Sequence, residues 1–534
     1  MLKSLLLTLA FALTLTASPP PADDSPAAAP RSQRLGIAHI SLVADATNPE
    51  RYRQALALGA GWNRWPLYWD HVQPAPQTWA WAAYDQLVAG DLDHGFSINA
   101  ILLGRPPFYQ DGERIAGLNE PAFSDGTDAP ASGKTPNPAN PWAVYVWEAV
   151  NRYKPGGALA RLRGWDDDKG IRVWEVWNEP DHKPSWGGTI RDYARLLKVT
   201  YLVAKLADPQ AQVMFGGLLY GTPDNWLARV LAIYINDPMR EQHNWYMDMV
   251  AVHSYRYPWR SGWLTLYVRE TLNAYGLKRP IWLNETGVPV WDDYPGPLWV
   301  ADQPDERVGH ATSAQQAAFV IQSAAYAWAE GADVIFFHQL YDDCGNQPPG
   351  TNFPFHRGEL CRGGRACFGD AFGLLRNPRS SVCYSHHPQP GTPRPAAQAF
   401  RLLARVLGSV PHDAAAIEVY SAGATAIAFD RQQTRERIYV LWNRTFNALD
   451  FSLPASQNSA ALYTLDDERR VRPSPDRFFR LRLPPATPDN YPDLEPGDVT
   501  AIGGPPLIVV ERLGTEPARD VLARAVVRRA GQED

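Results

Sequence analysis

The stretch Val173-Trp-Glu-Val-Trp-Asn178-Glu179-Pro180-Asp181 runs as a short apolar strand and breaks off in a carboxylate just before a proline. A second stretch, Ile281-Trp-Leu-Asn-Glu285-Thr-Gly287, ends the same way, with a glycine marking its exit. Both lie in a chain that alternates short apolar runs with longer amphipathic ones from about Arg34 to Leu407, the β-then-α rhythm of a parallel sheet. Eight strands are expected, at Leu35–Leu42, Trp62–Trp69, Phe96–Leu103, Val173–Asn178, Gln212–Leu218, Met249–Tyr255, Ile281–Glu285 and Val334–Leu340. Helices are expected between them, including Pro49–Leu58, Ala82–Asp93, Trp142–Tyr153, Ile190–Ala207 and Ser313–Glu330, with a last one at Pro395–Leu407. Eight such repeats favour a closed (β/α)8 TIM barrel over an open doubly wound sheet. No glycine-rich phosphate loop follows any strand, so nucleotide binding has no support.

Side chains at the C-terminal ends of barrel strands converge on one open face, so polar residues there are the first candidates for chemistry. Strands four and seven stand nearly opposite one another, which sets Glu179 across a cleft from Glu285. Glycosidic cleavage needs such a pair: one carboxylic acid protonates the leaving oxygen while a carboxylate attacks the anomeric carbon or activates water. A single glutamate at a strand end is most often a solvated loop residue, but two on these particular strands make a catalytic pair the better reading. Glu175 shares the strand parity of Glu179 and lies deeper, where an ion pair inside the barrel is its expected role.

Trp174-Glu-Val-Trp-Asn-Glu-Pro-Asp181 resembles the acid/base motif of clan A glycoside hydrolases. The continuation, Trp186-Gly-Gly-Thr189, Asp192-Tyr-Ala-Arg-Leu-Leu-Lys198 and Gly216-Gly217, is most similar to the β-xylosidase and α-L-iduronidase family of that clan. The resemblance covers about Gly36 to Leu407 and implies Glu179 as acid/base, Glu285 as nucleophile and Asn178 against the substrate 2-hydroxyl. Arg64 resembles the strand-two arginine that keeps the nucleophile ionised, an ordinary ion pair being the alternative. His253 and Tyr255, at the end of strand six, match groups that touch nucleophile and sugar. Strand eight departs from the pattern: where many members carry a tryptophan beneath the sugar, His338 or Tyr341 is expected. Trp186, Tyr220 and Trp259 are candidate stacking platforms, with loop packing as the rival for each.

The chain has 534 residues, more than one core usually organises. Residues 34–408 are read as the barrel, 409–513 as an antiparallel β-sandwich, and 514–534 as a tail that is a basic amphipathic helix or mobile. The sandwich rests on β-rich runs such as Thr425–Phe429, Arg437–Asn443, Ala461–Thr464 and Leu507–Glu511, separated by Pro, Asn and Asp turns. Residues 1–18, with Lys3 ahead of an apolar Leu5–Ala17, read as a signal peptide, and 19–33 as a disordered linker. An extracytoplasmic, secreted or cell-surface protein follows, and no integral membrane span is expected. All four cysteines fall between Cys344 and Cys383. Export makes disulfides the expected reading, with three possible pairings; the rival is a metal site that adds His356, His386 and His387.

A net charge of -6 offers no basic field for nucleic acid. The 20 Trp and 23 Tyr exceed what a core normally demands and suit a carbohydrate cleft. The expected partner is a carbohydrate, and neither metal nor organic cofactor is implied. Retaining hydrolysis of a β-linked glycoside is the leading reading. A transglycosylase on the same residues and a non-catalytic glycan-binding barrel are its rivals, and a metal-dependent barrel hydrolase lacks an H-x-H or carboxylate cluster at strand ends.

Overall fold

The computed structural model describes residues 29–166, 168–293, 309–345, 370–381, 383, 386–488 and 499–531. The signal peptide, Cys361, Cys367 and His356 lie outside the described residues. Eight parallel strands close into a barrel: β1 (Ser32–Ala38), β2 (Ala60–Tyr68), β3 (Ser97–Leu103), β4 (Val173–Val176), β5 (Gln212–Leu218), β6 (Met249–Tyr255), β7 (Ile281–Gly287) and β8 (Val334–His338). The main helices wrapped around it are α1 (Pro49–Leu58), α2 (Ala82–Asp93), α3 (Pro141–Tyr153), α4 (Ile190–Ala207), α5 (Trp226–Tyr234), α6 (Pro258–Ala274), α7 (Ser313–Ala329) and α8 (Pro395–Val406). Two begin with a sequence-legible capping box: Thr189 with Asp192 on α4, and Thr312 with Gln315 on α7.

The barrel interior is layered. Val173, Met214, Met249, Ala251, Trp282, Val334 and Phe336 form an apolar plug at the N-terminal ends of the strands. Above it sits a buried polar layer of Arg64, Asn99, Glu175 and Asn284, and the open face lies above that. Strand β7 places two successive side chains inside, although strand residues normally alternate faces. The reason is a bulge: β6 advances from Val252 to His253 while β7 advances from Leu283 to Glu285, and β8 against β7 shows the same extra residue. Asn284 and Glu285 therefore both point inward.

The second domain is a sandwich of a six-stranded and a three-stranded antiparallel sheet. The larger sheet contains β9 (Ala414–Val419), β10 (Ala424–Arg431), β11 (Glu436–Asn443), β13 (Ala460–Tyr463), β14 (Glu468–Val471) and β16 (Leu507–Arg512); the smaller contains β12 (Leu449–Pro454), β15 (Phe478–Leu483) and β17 (Val526–Arg529). It docks on the barrel through Ile427, Phe429, Ile438, Val440 and Trp442, which share one core with the barrel helices. Trp442 meets Tyr326 of α7 edge-on at 5.2 Å, and Gln322 of α7 bonds Gly503 N and Gly504 O at 3.0 and 3.1 Å.

Two boundaries differ from the sequence reading. Residue 33 falls inside β1, which starts at Ser32 and pairs with Ala60, so the end of the expected linker is barrel. The expected tail belongs to the sandwich: Val521 and Leu522 of a short helix, Ala518–Ala523, are buried, and β17 pairs with β12. The Val526-Val-Arg-Arg529 run forms this edge strand where a basic amphipathic helix or a mobile tail was expected. Cys344 and Cys383 are disulfide-bonded with Cα atoms 5.4 Å apart, closing 39 residues after β8. His387 faces Asp293 at 2.8 Å, in an ion cluster with Arg376 and Arg394, rather than a metal shared with cysteine.

Candidate active site

Arg64 is the fully buried hub of the open face. Its Nε and Nη2 donate to Glu175 Oε2 and Oε1 at 2.8 and 2.9 Å, Nη1 donates to Glu285 Oε1 at 2.5 Å, and Nη2 also donates to Asn178 Oδ1 at 2.8 Å. Glu175 is the expected interior ion pair, and it accepts further bonds from Asn284 Nδ2 at 2.8 Å and Gly217 N at 3.0 Å. Every lone-pair direction that faces the barrel is thus matched, as a buried charge requires. Burial opposes charge on Glu285, but His253, Arg64 and His338 outweigh it, and a bond from Tyr255 Oη assists; its carboxyl is held well below the usual range.

Glu179 reaches the same place by a strained route. Trp177 and Glu179 both adopt left-handed backbone, at φ 68° and 47°, so the chain leaves β4 in a tight coil. Trp177 N bonds Leu102 O at 3.1 Å, Glu179 N bonds Gly217 O at 3.1 Å, and Asp181 accepts from Leu219 N and Tyr220 N at 3.0 and 2.6 Å. Those bonds offset a strain of about 1–3 kcal/mol per such residue. His253 Nδ1 donates to Glu179 Oε1 at 2.9 Å and lies 3.5 Å from Glu285 Oε2. Burial disfavours charge on His253, yet the carboxylates of Glu285 and Glu179 raise it above the ordinary imidazole range. Gly217 makes room for it: a Cβ there would lie 2.0 Å from His253 Nε2.

One carboxylate oxygen of Glu179, one of Glu285 and a His253 nitrogen all lie within 4.8 Å of one another. Among the described residues this is the group with the chemistry and spacing to hold a metal ion. Arg64 already supplies a cation on Glu285, so the arrangement serves an ionised carboxylate without one. The Tyr255 hydroxyl bonds Glu285 Oε2, and burial followed by the charge of Glu285 pushes that phenol well above its usual range.

His338 closes the floor. It meets Phe372 at 5.1 Å, His39 at 5.6 Å and Tyr255 at 6.0 Å, and its Nδ1 is buried with no partner. Burial depresses His338, and burial together with His338 lowers His39 to about 4. His39 was not anticipated. It follows β1 in left-handed backbone at φ 60°, and the only sequence signal is a polar residue just past an apolar strand. Phe372 and the arginines Arg256 and Arg260 were missed for a similar reason, since they come from loops and a helix rather than strand ends.

Four expected contacts are made differently. Tyr341 is buried beneath the guanidinium of Arg51, 4.8 Å from the ring centroid. Trp186 packs edge-on between Trp177 and Tyr193 and donates to Thr189 O at 3.1 Å. Tyr220 is buried edge-on to Tyr267 at 5.3 Å, while Trp259 is exposed and stacks on Tyr257 at 6.1 Å. A cavity of about 460 Å³ opens beside Glu179, lined by Leu219, Tyr255, Arg256, Arg260 and Phe372 among others. A second, of about 390 Å³, lies past β3 and β4 between Arg105, Glu113, Lys183 and Trp186.

The fold and site define a (β/α)8 barrel with a facing carboxylate pair on strands four and seven and a buried arginine on strand two. No family model matches the chain, and no curated protein matches it. Among solved structures it is similar to a glucosidase from Croceicoccus marinus, at 14% identity and a TM-score of 0.48, covering 92% of this chain and 98% of that one. It is also similar to a monomeric β-xylosidase from Caulobacter crescentus, at 13% identity and a TM-score of 0.49, covering 91% and 97%. A GH39 enzyme from Xanthomonas axonopodis is similar at 14% identity and a TM-score of 0.48, covering 91% and 96%.

Proposed function

We propose that the protein is a retaining glycoside hydrolase that cleaves β-glycosidic bonds of an oligo- or polysaccharide by double displacement. The observation that carries this reading is the facing of Glu179 and Glu285, with carboxylate oxygens within 4.8 Å across an open barrel face. Retaining enzymes hold their carboxyl groups about 5–5.5 Å apart, whereas inverting ones need roughly 6.5–9.5 Å to admit water. Glu285 attacks the anomeric carbon while Glu179 gives its proton to the leaving oxygen. Glu179 then takes a proton from water, whose oxygen displaces Glu285 and releases the sugar.

The surrounding groups support those roles. Arg64 and the Tyr255 hydroxyl favour an ionised Glu285, ready to attack. Asn178 Oδ1 accepts from Arg64 Nη2, so its amide N–H groups are what it offers a sugar hydroxyl. His253, beside both glutamates, suits the exchange of a proton on Glu179 against a charge on Glu285. The Cys344–Cys383 disulfide supports an extracytoplasmic setting, in line with the signal-like first residues.

The test is hydrolysis of a panel of aryl β-glycosides and of plant and bacterial polysaccharides. Wild type is expected to cleave at least one member. Glu179→Gln is expected to lose at least ~10³-fold on natural linkages, and much less on a nitrophenyl glycoside, whose phenolate leaves without a proton. A wild-type protein that binds glycans and cleaves none of them would move the glycan-binding reading ahead.

A further inference from the structure

Arg256 and Arg260 wall the cavity beside Glu179, one in the loop just past β6 and the other in the first turn of α6. Arg260 donates only to backbone carbonyls: Nη2 to Leu219 O and Tyr220 O at 2.8 and 3.1 Å, and Nη1 to His253 O at 3.4 Å. Asp181, the acid nearest in charge, is already bonded to two backbone N–H groups. Arg260 is therefore a half-buried cation with no carboxylate against it. Arg256 is exposed, with no ion pair or side-chain hydrogen bond among the described residues, and its side chain lies over Gly309. Its backbone is fixed in the left-handed region at φ 72°, with its N–H bonded to Gly287 O at 3.0 Å, which sets where the side chain leaves the chain.

Among the described residues the rest of the lining cancels these charges only in part. Its two acids there are Glu179 and Asp370. Glu179 is neutral when it carries the proton it must give, which leaves Asp370, 3.3 Å from His310 Nε2, as one acid facing two guanidinium groups. His310 Nδ1 remains buried without a partner. The helix that begins at Pro258 has no side-chain cap, and Tyr257, just before it, lines the same space. A cavity that sets two guanidinium groups against one remaining acid favours an anion, which can take the paired N–H donors of a guanidinium edge.

Position identifies which part of a substrate would bear that anion. Glu179 lines the cavity and Glu285 does not. The group that protonates the leaving oxygen marks the side on which the leaving sugar sits. Resting on the glycosidase reading, we propose that this cavity receives the leaving-group portion of the substrate, and that this portion carries a carboxylate or sulfate bound by Arg256 in the field of Arg260. The substrate class is then an acidic polysaccharide.

The experiment is affinity electrophoresis of the full chain, as wild type, Arg256→Ala and Arg256→Lys. Polygalacturonate and hyaluronan in the gel present carboxylates, κ-carrageenan presents sulfates, and laminarin and hydroxyethyl cellulose are neutral. At least one charged polymer is expected to retard wild type more than the neutral ones do. Arg256→Ala is expected to weaken that retardation by about tenfold, and Arg256→Lys to restore part of it. Whether polygalacturonate or carrageenan is favoured assigns the anion. The proposal is overturned if charged polymers retard wild type no more than neutral ones, or if Arg256→Ala is retarded as wild type is. Arg256-dependent retardation without hydrolysis of any glycan keeps the anion site and removes the glycosidase; hydrolysis of neutral glycans without it does the reverse.

Discussion

Replacing Glu285 by glutamine is expected to lower kcat/KM by at least ~10³-fold on every glycoside the protein cleaves, with the fold intact. An amide cannot attack the anomeric carbon, and none of its neighbours can take over. Arg64 is a cation, Tyr255 is held as a neutral phenol, and His253 is engaged with Glu179. Glu175 lies close by but has both oxygens bound, to Arg64, Asn284 and Gly217. The fold should survive because Arg64 keeps its two bonds to Glu175 after the substitution. A merely structural role is separated by Glu285→Gly with added azide: a small external nucleophile should restore turnover of an activated substrate and yield a glycosyl azide. Absence of any azide product, with a folded variant, would count against Glu285 as the attacking group.

Arg64→Leu should be the most damaging single change for stability and activity together. It leaves Glu175 and Glu285 in the barrel without their shared cation, and breaking a buried pair in this way costs about 3–5 kcal/mol. The carboxylates can escape that cost only by taking up protons. Glu285 has a depressed pKa in the folded wild type, so its ion pair adds stability above the ordinary carboxylate range and loses it as pH falls through the lowered value. The stability gap between wild type and Arg64→Leu should therefore be widest near neutral pH and already narrower at about pH 4. Denaturant unfolding at pH 7 and pH 4 measures this. Any residual activity should show its acid limb moved to higher pH, since Glu285 then ionises later. An unchanged acid limb would mean that Arg64 does not tune Glu285.

Much of the fold was legible because the barrel repeats its signal. Helices α1, α2 and α4 begin and end where Pro49, Ala82, Ile190 and their apolar periods predict. Strands β4 and β7 carry their carboxylates at the ends predicted for them, and Glu175 makes the interior ion pair expected of it, with Arg64 as the partner that the sequence did not name. What escaped the sequence depends on partners distant in the chain or on irregular backbone. Tyr341 follows β8 in sequence, yet Arg51, from α1, covers its ring, and nothing local announces that contact. The bulge that lets Asn284 and Glu285 face inward together is written in the pairing with β6 and β8, not in β7 itself. His39 enters the site through a left-handed turn that ordinary residues seldom adopt. Trp186 had the type of a stacking platform, but the rings of Trp177 and Tyr193 enclose it in the loop core.

Double displacement between Glu179 and Glu285 fixes the stereochemistry of the released sugar. It is tested most directly by following the anomeric proton signals as wild type hydrolyses the best β-glycoside of the panel. The β-anomer of the released sugar is expected to appear first and then to mutarotate to the equilibrium mixture. First appearance of the α-anomer would mean a single inverting displacement, and the close facing of the two carboxylates would then need another explanation.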